Sequence, residues 1–271
     1  MDAAHSAERL QKVLSQLGLA SRREAEAWIR AGRLSVNGRP AVLGMRVGPK
    51  DQLRLDGRPI RQRPGGPIGT VFLCHRSPGA PLQLTGLSPG ASADLDAGSS
   101  IAARLPRRAG RRFISISPMP RPDGGLELLT ADGALGARLQ RVVHTAEAEF
   151  NLRVRGELTP LQEEGIRGGE LDRGARLPVT ALEACGGEGS NRWYRLIVTG
   201  ASGNEVRQLF ERQAVTVVRV LRTRLGTLSL PRELSRGRWR ELQPEEVDAF
   251  LAGRAPRARA AQHQADRDSE D

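Results

Sequence analysis

Cysteine is nearly missing from this sequence. Cys74 and Cys185 are the two present, far apart and outside any metal-ligand spacing, so neither a disulfide framework nor a zinc site can be built. Both read as small core residues. No apolar run approaches the roughly 18 residues that a membrane span needs, which excludes transmembrane helices. The opening Met1-Asp2-Ala3-Ala4-His5-Ser6 has no basic segment leading into an apolar stretch, so nothing reads as a secretory signal and the expected location is the cytoplasm. No internal repeat of fixed period is visible. Lysine is almost absent too: of 42 Lys+Arg, only Lys12 and Lys50 are lysine.

What is present is positive charge. A formal net charge of +11 points to a polyanionic partner, because dense cationic side chains gain affinity by displacing counterions from phosphates. The arginine excess alone decides nothing, since a GC-rich genome produces it as readily as a need for bidentate phosphate contacts. Location is more informative. Residues 1–63 hold 13 Lys+Arg against 6 Asp+Glu, which is +7 of the total in under a quarter of the chain.

The 271 residues allow one large domain or two unequal ones. Arg61-Gln62-Arg63-Pro64-Gly65-Gly66-Pro67 cannot continue a helix or a strand, so the chain is expected to divide into 1–63, a linker at 64–70, and a larger unit over 71–252. From 253 to 271 there is no large apolar residue to offset ordering, and a disordered tail is expected. In the first unit Leu10, Val13, Leu14 and Leu17 make an apolar helical face, closed by Gly18 as the residue after the helix. Ser21-Arg22-Arg23-Glu24 is a capping box that opens a second helix, with Ala25, Trp28 and Ile29 inward and Arg23 and Arg30 on the other side. Leu34-Ser35-Val36, the Asn37-Gly38 turn, and Leu53-Arg54-Leu55 before Asp56-Gly57 predict short hairpin strands.

The run Leu-Gln-Lys-Val-Leu, Ala-Ser-Arg-Arg-Glu-Ala-Glu, Ile-Arg-Ala-Gly-Arg-Leu-Ser-Val-Asn-Gly resembles the ribosomal protein S-four type RNA-binding domain over roughly residues 8–60. That resemblance implies RNA contacts at Lys12, Ser21, Arg22, Arg23, Arg33 and Asn37, with Arg30 on the same basic side.

The larger unit alternates strand and helix patterns without a regular βαβ rhythm, predicting an α+β domain with a mixed or antiparallel sheet. Residues 112–116 and 126–129 read as strands around a Pro/Asp/Gly tip at 118–125. Asp132 can cap a helix carrying Leu135, Leu139, Val142 and Val143, and Phe150–Val154 alternates as a strand. Thr159-Pro160 opens a further helix. Residues 193–199 read as a strand, 205–212 as a helix and 215–224 as a strand.

Four segments carry a second resemblance: Leu126-Glu-Leu-Leu-Thr-Ala-Asp-Gly133, Ala148-Glu-Phe-Asn-Leu-Arg-Val154, Trp193-Tyr-Arg-Leu-Ile-Val-Thr199, and Asn204-Glu-Val-Arg-Gln-Leu-Phe210 running into Val218-Arg-Val-Leu-Arg222. With Gly237-Arg-Trp-Arg-Glu-Leu242 they make the chain similar to the RsuA-like family of bacterial ribosomal RNA pseudouridine synthases. The family's reaction detaches uracil from its ribose, turns it and reattaches it through carbon, with one aspartate as nucleophile and neither metal nor cofactor. The implied partners are structured RNA, ribosomal RNA or a ribosome assembly intermediate, with no membrane, and the implied state is a monomer.

The resemblance also marks departures. The family's Arg-Leu-Asp triplet, five residues before Gly125-Leu126, falls on Pro118-Met119-Pro120, and the neighbouring carboxylate is Asp123 in Arg121-Pro122-Asp123. Asp123 suits a turn equally well, since Asp hydrogen-bonds its own backbone there. Phe150 stands where the family has a tyrosine against the target base, keeping a ring and losing a hydroxyl. Gly200–Asn204 stands for a charged Glu-Gly-Arg-Asn-Arg run, and Arg76-Ser77-Pro78-Gly79 for a lysine-proline-glycine. Arg207 is retained, the arginine that in the family pairs with the catalytic aspartate, so a carboxylate partner at Asp123 or Asp132 is expected. Three readings stay open: a degenerate synthase that binds RNA without modifying it, an active isomerase using Asp123 or another carboxylate such as Asp132, and a chain that binds another RNA, or joins a stress or translation complex, through the same small module.

Overall fold

The computed structural model describes residues 7–17, 19–60, 69–82, 100–106, 113–187 and 189–253. Gly18, most of the expected linker and nearly all of the expected tail lie outside these residues. The chain order is β1 (Glu8–Arg9), α1 (Leu10–Gln16), α2 (Arg22–Arg30), β2 (Leu34–Val36), β3 (Arg39–Pro40), β4 (Arg46–Val47), β5 (Leu53–Leu55) and β6 (Arg58–Ile60). After these come β7 (Val71–Arg76), β8 (Ile114–Ser115), β9 (Gly124–Thr130), α3 (Gly133–Val143), β10 (Glu147–Arg155), α4 (Pro160–Arg167), β11 (Val179–Ala184) and β12 (Asn191–Thr199). The chain ends in α5 (Gly203–Glu211), β13 (Val217–Leu225), β14 (Leu228–Ser229), β15 (Trp239–Glu241) and α6 (Pro244–Leu251).

The small unit has its own core. Leu10, Leu14, Ala25, Ile29, Leu34, Val36, Val47 and Leu53 are buried together, with Trp28 half-buried at the edge. The expected capping box forms: the Glu24 N–H donates to Ser21 Oγ at 3.0 Å and the Ser21 N–H to the Glu24 carboxylate at 3.2 Å. β3, β2, β5 and β6 pair in that order as an antiparallel sheet. Asn37-Gly38 and Asp56-Gly57 both take positive φ, as two-residue hairpin turns require.

The large unit is one mixed nine-stranded sheet. Its main path runs β11, β12, β10, β13, β9, β7, β15, with β8 on β9 and β14 on β13. All pairings are antiparallel except β9 with β13, which touch over Gly124–Gly125 and Leu221–Arg222 alone. Gly125 makes this crossing possible, because at φ +93° a side chain would drive its Cβ to 2.3 Å from the Arg222 carbonyl. Helices α3 to α6 bury the sheet face that carries Ala148, Phe150, Leu152, Val154, Leu196, Val198 and Val220. On the opposite face Phe72, Cys74 and Leu129 pack under Ile101, Leu105 and Phe113. Over β10, β12 and β13 that opposite face carries partly exposed side chains.

The structure corrects three details. Cys185 is exposed rather than a core residue. α5 begins at Gly203 and not at Glu205, because Ser202 and Glu205 form a capping box. β13 begins at Val217, after Ala214 turns the chain with φ +56°.

Candidate active site and RNA-binding face

Asp123 ends the turn after β8, its N–H held by the Pro120 carbonyl at 3.1 Å, and delivers its carboxylate under β13. Arg207, from the middle of α5, meets it with a two-pronged fork: Nε to Oδ2 and Nη2 to Oδ1, both 2.6 Å. The Val220 N–H adds a third donor to Oδ1 at 2.8 Å. Arg207 Nη1 reaches the Val217 carbonyl at 3.1 Å, so the guanidinium also ties α5 to the start of β13. Asp123 is 0% exposed and the Arg207 side chain 17%. Hydrogen bonding to Asp123 lifts the Arg207 pKa above its ordinary value, against desolvation. Asp132 is not the partner. Its carboxylate accepts the Ala134 and Leu135 N–H groups and caps α3.

The segment Ser117–Pro122 leads into Asp123 and lies against the start of α5. Gly203, first in α5, lets it lie close: a Cβ there would stand 2.5 Å from Pro120 and 2.9 Å from the Met119 sulfur. Beneath the segment lies a buried triad of charges. Arg76 Nε donates to Glu127 at 3.0 Å, and its Nη2 grips the Met119 and Pro120 carbonyls at 2.8 and 2.7 Å. Glu127 Oε1 also accepts the Met119 N–H at 2.9 Å. Arg222 binds Glu127 at 3.4 Å, Ser117 Oγ at 2.9 Å, the Ser117 carbonyl at 2.6 Å and the Leu126 carbonyl at 2.9 Å. Burial pushes the Glu127 carboxyl up and the Arg222 guanidinium down, and their mutual attraction opposes both shifts. This segment is thus pinned through its own backbone at Ser117, Met119 and Pro120.

Phe150 lies in the core on the inner face of β10, 0% exposed. In this conformation its ring has no free face for a base.

In the small unit, Arg22, Arg23 and Arg30 project into solvent from α2, Arg30 with Glu26 at 3.8 Å. Lys12, in α1, pairs with Glu8 of β1, four residues earlier. Ser21 spends its hydroxyl on the helix cap. Arg33 is held by Asp56, and its guanidinium lies 5.5 Å from the Trp28 ring centre. Asn37 is a turn residue: its amide binds Asp51 at 2.8 Å and accepts the Gln52 N–H at 2.8 Å. Of the residues expected to touch RNA, Arg22 and Arg23 are the freest.

The S4 domain family model matches residues 8–53, the segment that carries this basic face. Over the larger span, the "Ribosomal large subunit pseudouridine synthase B" of Vibrio cholerae is 35% identical across 243 residues, covering 89% of this chain and 73% of that protein. The protein of the same name from Salmonella typhimurium is 36% identical across 253 residues, covering 91% and 82%. The chain belongs to the RsuA-like pseudouridine synthase family. A further relative of that name, from Pseudomonas aeruginosa, is 36% identical across 242 residues, and this chain spans 61% of its length. A solved structure described as "Crystal structure of pseudouridylate synthase" covers 89% of this chain and 99% of its own, with a TM-score of 0.56 at 18% identity, and shares the fold.

Within this RsuA-like architecture, sequence reasoning misses Glu127 and Arg222. A signal exists: Glu127 interrupts an otherwise apolar strand, Leu126-Glu127-Leu128-Leu129, and a charge in such a place needs a buried partner.

Proposed function

We propose that this protein holds structured ribosomal RNA, or a ribosome assembly intermediate, through the basic face of its S4 domain, with little or no uridine isomerisation in its larger domain. On this reading it works in the cytoplasm as a monomer, without metal or cofactor. The observation that carries the reading is the burial of Asp123. Isomerisation needs a flipped uridine to bring its ring and sugar within about 3 Å of a carboxylate oxygen. Here both oxygens face Arg207 and Val220 in a place closed to solvent, and the position that resemblance gives to the nucleophile is Pro120. Asp123 then acts as the counter-charge that keeps Arg207 in the fold.

A second reading is favoured by the Arg207 fork itself. Resemblance to the family implies an arginine that holds the nucleophilic aspartate ionised, and Asp123 receives that contact from three residues further along the chain. Catalysis by Asp123 would require its buried carboxylate to become open to a base.

Equilibrium binding of the full-length protein to protein-free ribosomal RNA tests the proposal. Wild type and Asp123→Asn are expected to bind within twofold of each other. A folded Asp123→Asn protein that binds tenfold more weakly would show that the carboxylate faces RNA, and the structural role would be lost.

A further inference from the structure

We propose that the open face of the large sheet, around Trp193, Arg153 and Arg219, is a second RNA site that takes an unpaired nucleotide with its flanking phosphates. This rests on the RNA-binding reading above and adds to it a surface on the large sheet.

The placement follows from strand register. Arg153 of β10 lies directly opposite Trp193 of β12 on one side and Arg219 of β13 on the other, so the three share one face in a single row. With strands about 4.8 Å apart the row spans about 10 Å. Arg155, two residues further along β10, extends the same face by about 7 Å and is exposed. None of these residues belongs to the packed face beneath α3 to α6.

Charge on this face is unevenly distributed. Toward one end Arg195 is bound by Glu149 and Glu183, and Arg224 by Glu147. At the other end, among the described residues, no carboxylate lies within ion-pair distance of Arg153, Arg155 or Arg219. The Nε of Arg153 is shielded from solvent and makes no hydrogen bond. Like charges placed directly opposite across two strands destabilise a sheet. Two arginines in that relation, with acidic residues available on the same face but committed elsewhere, fit a surface completed by an external anion.

Trp193 narrows the kind of anion. It is partly exposed and enters no ring–ring or cation–π contact among the described residues, whereas Trp28 is covered by Arg33 and Trp239 packs edge-on against Phe72. A free indole beside paired guanidinium groups is the combination that binds single-stranded nucleic acid, the ring stacking a base and the arginines taking phosphates. A protein partner with acidic side chains would use the arginines but has no need of a flat aromatic platform.

The test uses the full-length protein and two fluorescein-labelled RNAs: a stem–loop, and the same stem–loop with ten uridines added at its 3′ end. Wild type is expected to bind the tailed RNA more tightly. In Arg153→Gln/Arg219→Gln the affinity for the tailed RNA should fall about tenfold, and its salt slope by about 1.4, at roughly 0.7 per neutralised phosphate on a single strand. Affinity for the blunt stem–loop should be unchanged. Trp193→Leu should weaken the tailed RNA alone, with no change in salt slope. In unmodified protein, 4-thiouridine in the tail should crosslink to the peptide containing Trp193, a readout that needs no variant. Tail-independent binding by wild type, or unaltered tail affinity in a double variant with wild-type thermal stability, would overturn the site and leave the face to an acidic protein. If wild type bound neither RNA, the RNA-binding reading itself would fail first.

Discussion

Asp123 accepts three hydrogen bonds in a place closed to solvent, and removing its carboxylate should strand the Arg207 guanidinium. Asp123→Ala is expected to cost about 3–5 kcal/mol in urea unfolding, the range for breaking a buried pair by deleting one partner. Asp123→Asn keeps one acceptor and should cost less. An Asp123→Ala protein as stable as wild type would mean that Arg207 finds another partner. At this scale sequence reasoning reaches the Arg207 partnership as one of two choices, and chemistry decides between them: Asp132 stands before α3, where its carboxylate satisfies two helix N–H groups. Phe150 is legible as a ring in a strand but not as a sealed one, because burial depends on which sheet face the helices cover. Cys185 misleads for the same reason, lying past the end of β11 beyond the packed layer.

The elements are legible where local chemistry sets them. Ser21 to Glu24, the Asn37-Gly38 turn and the Asp132 cap act within a few residues, and each forms as expected. Ser202 to Glu205 carries the same capping signature, which places the helix start before Glu205. The Arg76, Glu127 and Arg222 triad is out of reach because it depends on the pairing of β7 with β9 and on the brief parallel pairing of β9 with β13. Glu127→Gln should be destabilising by several kcal/mol, since two buried guanidinium groups would lose their shared counter-charge. It should also free the Met119 and Pro120 segment, seen as faster amide hydrogen exchange there. Unchanged exchange in a destabilised protein would show that the prolines, rather than the triad, hold the segment.

Further along, Arg240 grips Glu246 at 2.7 and 2.8 Å and joins β15 to α6. Hydrogen bonding to Arg240 lowers the Glu246 carboxyl below its ordinary 4.5, so the pair stabilises the fold above that pH and the contribution disappears as pH falls through the lowered value. Glu246→Gln is expected to lose about 0.5–1 kcal/mol at pH 7, a screened surface value. Its difference from wild type should narrow in acid; a difference constant with pH would place the effect in the helix cap instead.

Across the whole molecule, positive charge is the feature that composition alone exposes, and the structure separates it into different uses. Arg76, Arg207 and Arg222 are committed inside the fold, Arg195, Arg224 and Arg240 to surface pairs, and Arg22 and Arg23 project freely from the S4 domain. Arg22→Ala/Arg23→Ala should therefore weaken binding to duplex ribosomal RNA stems and reduce the salt slope by up to about 1.8, at roughly 0.9 for each phosphate no longer neutralised. Weaker binding with an unchanged slope would assign these residues a structural part. On the function proposed above, a family fold has kept its RNA grip while its aspartate has become a buried counter-charge. Mass spectrometry of pseudouridine in ribosomal RNA from cells lacking this protein, after incubation with the purified full-length chain, puts that to the test. No new pseudouridine is expected. Formation of one at near-stoichiometric yield, abolished by Asp123→Asn in a folded protein that still binds RNA, would overturn the proposal and make Asp123 the nucleophile.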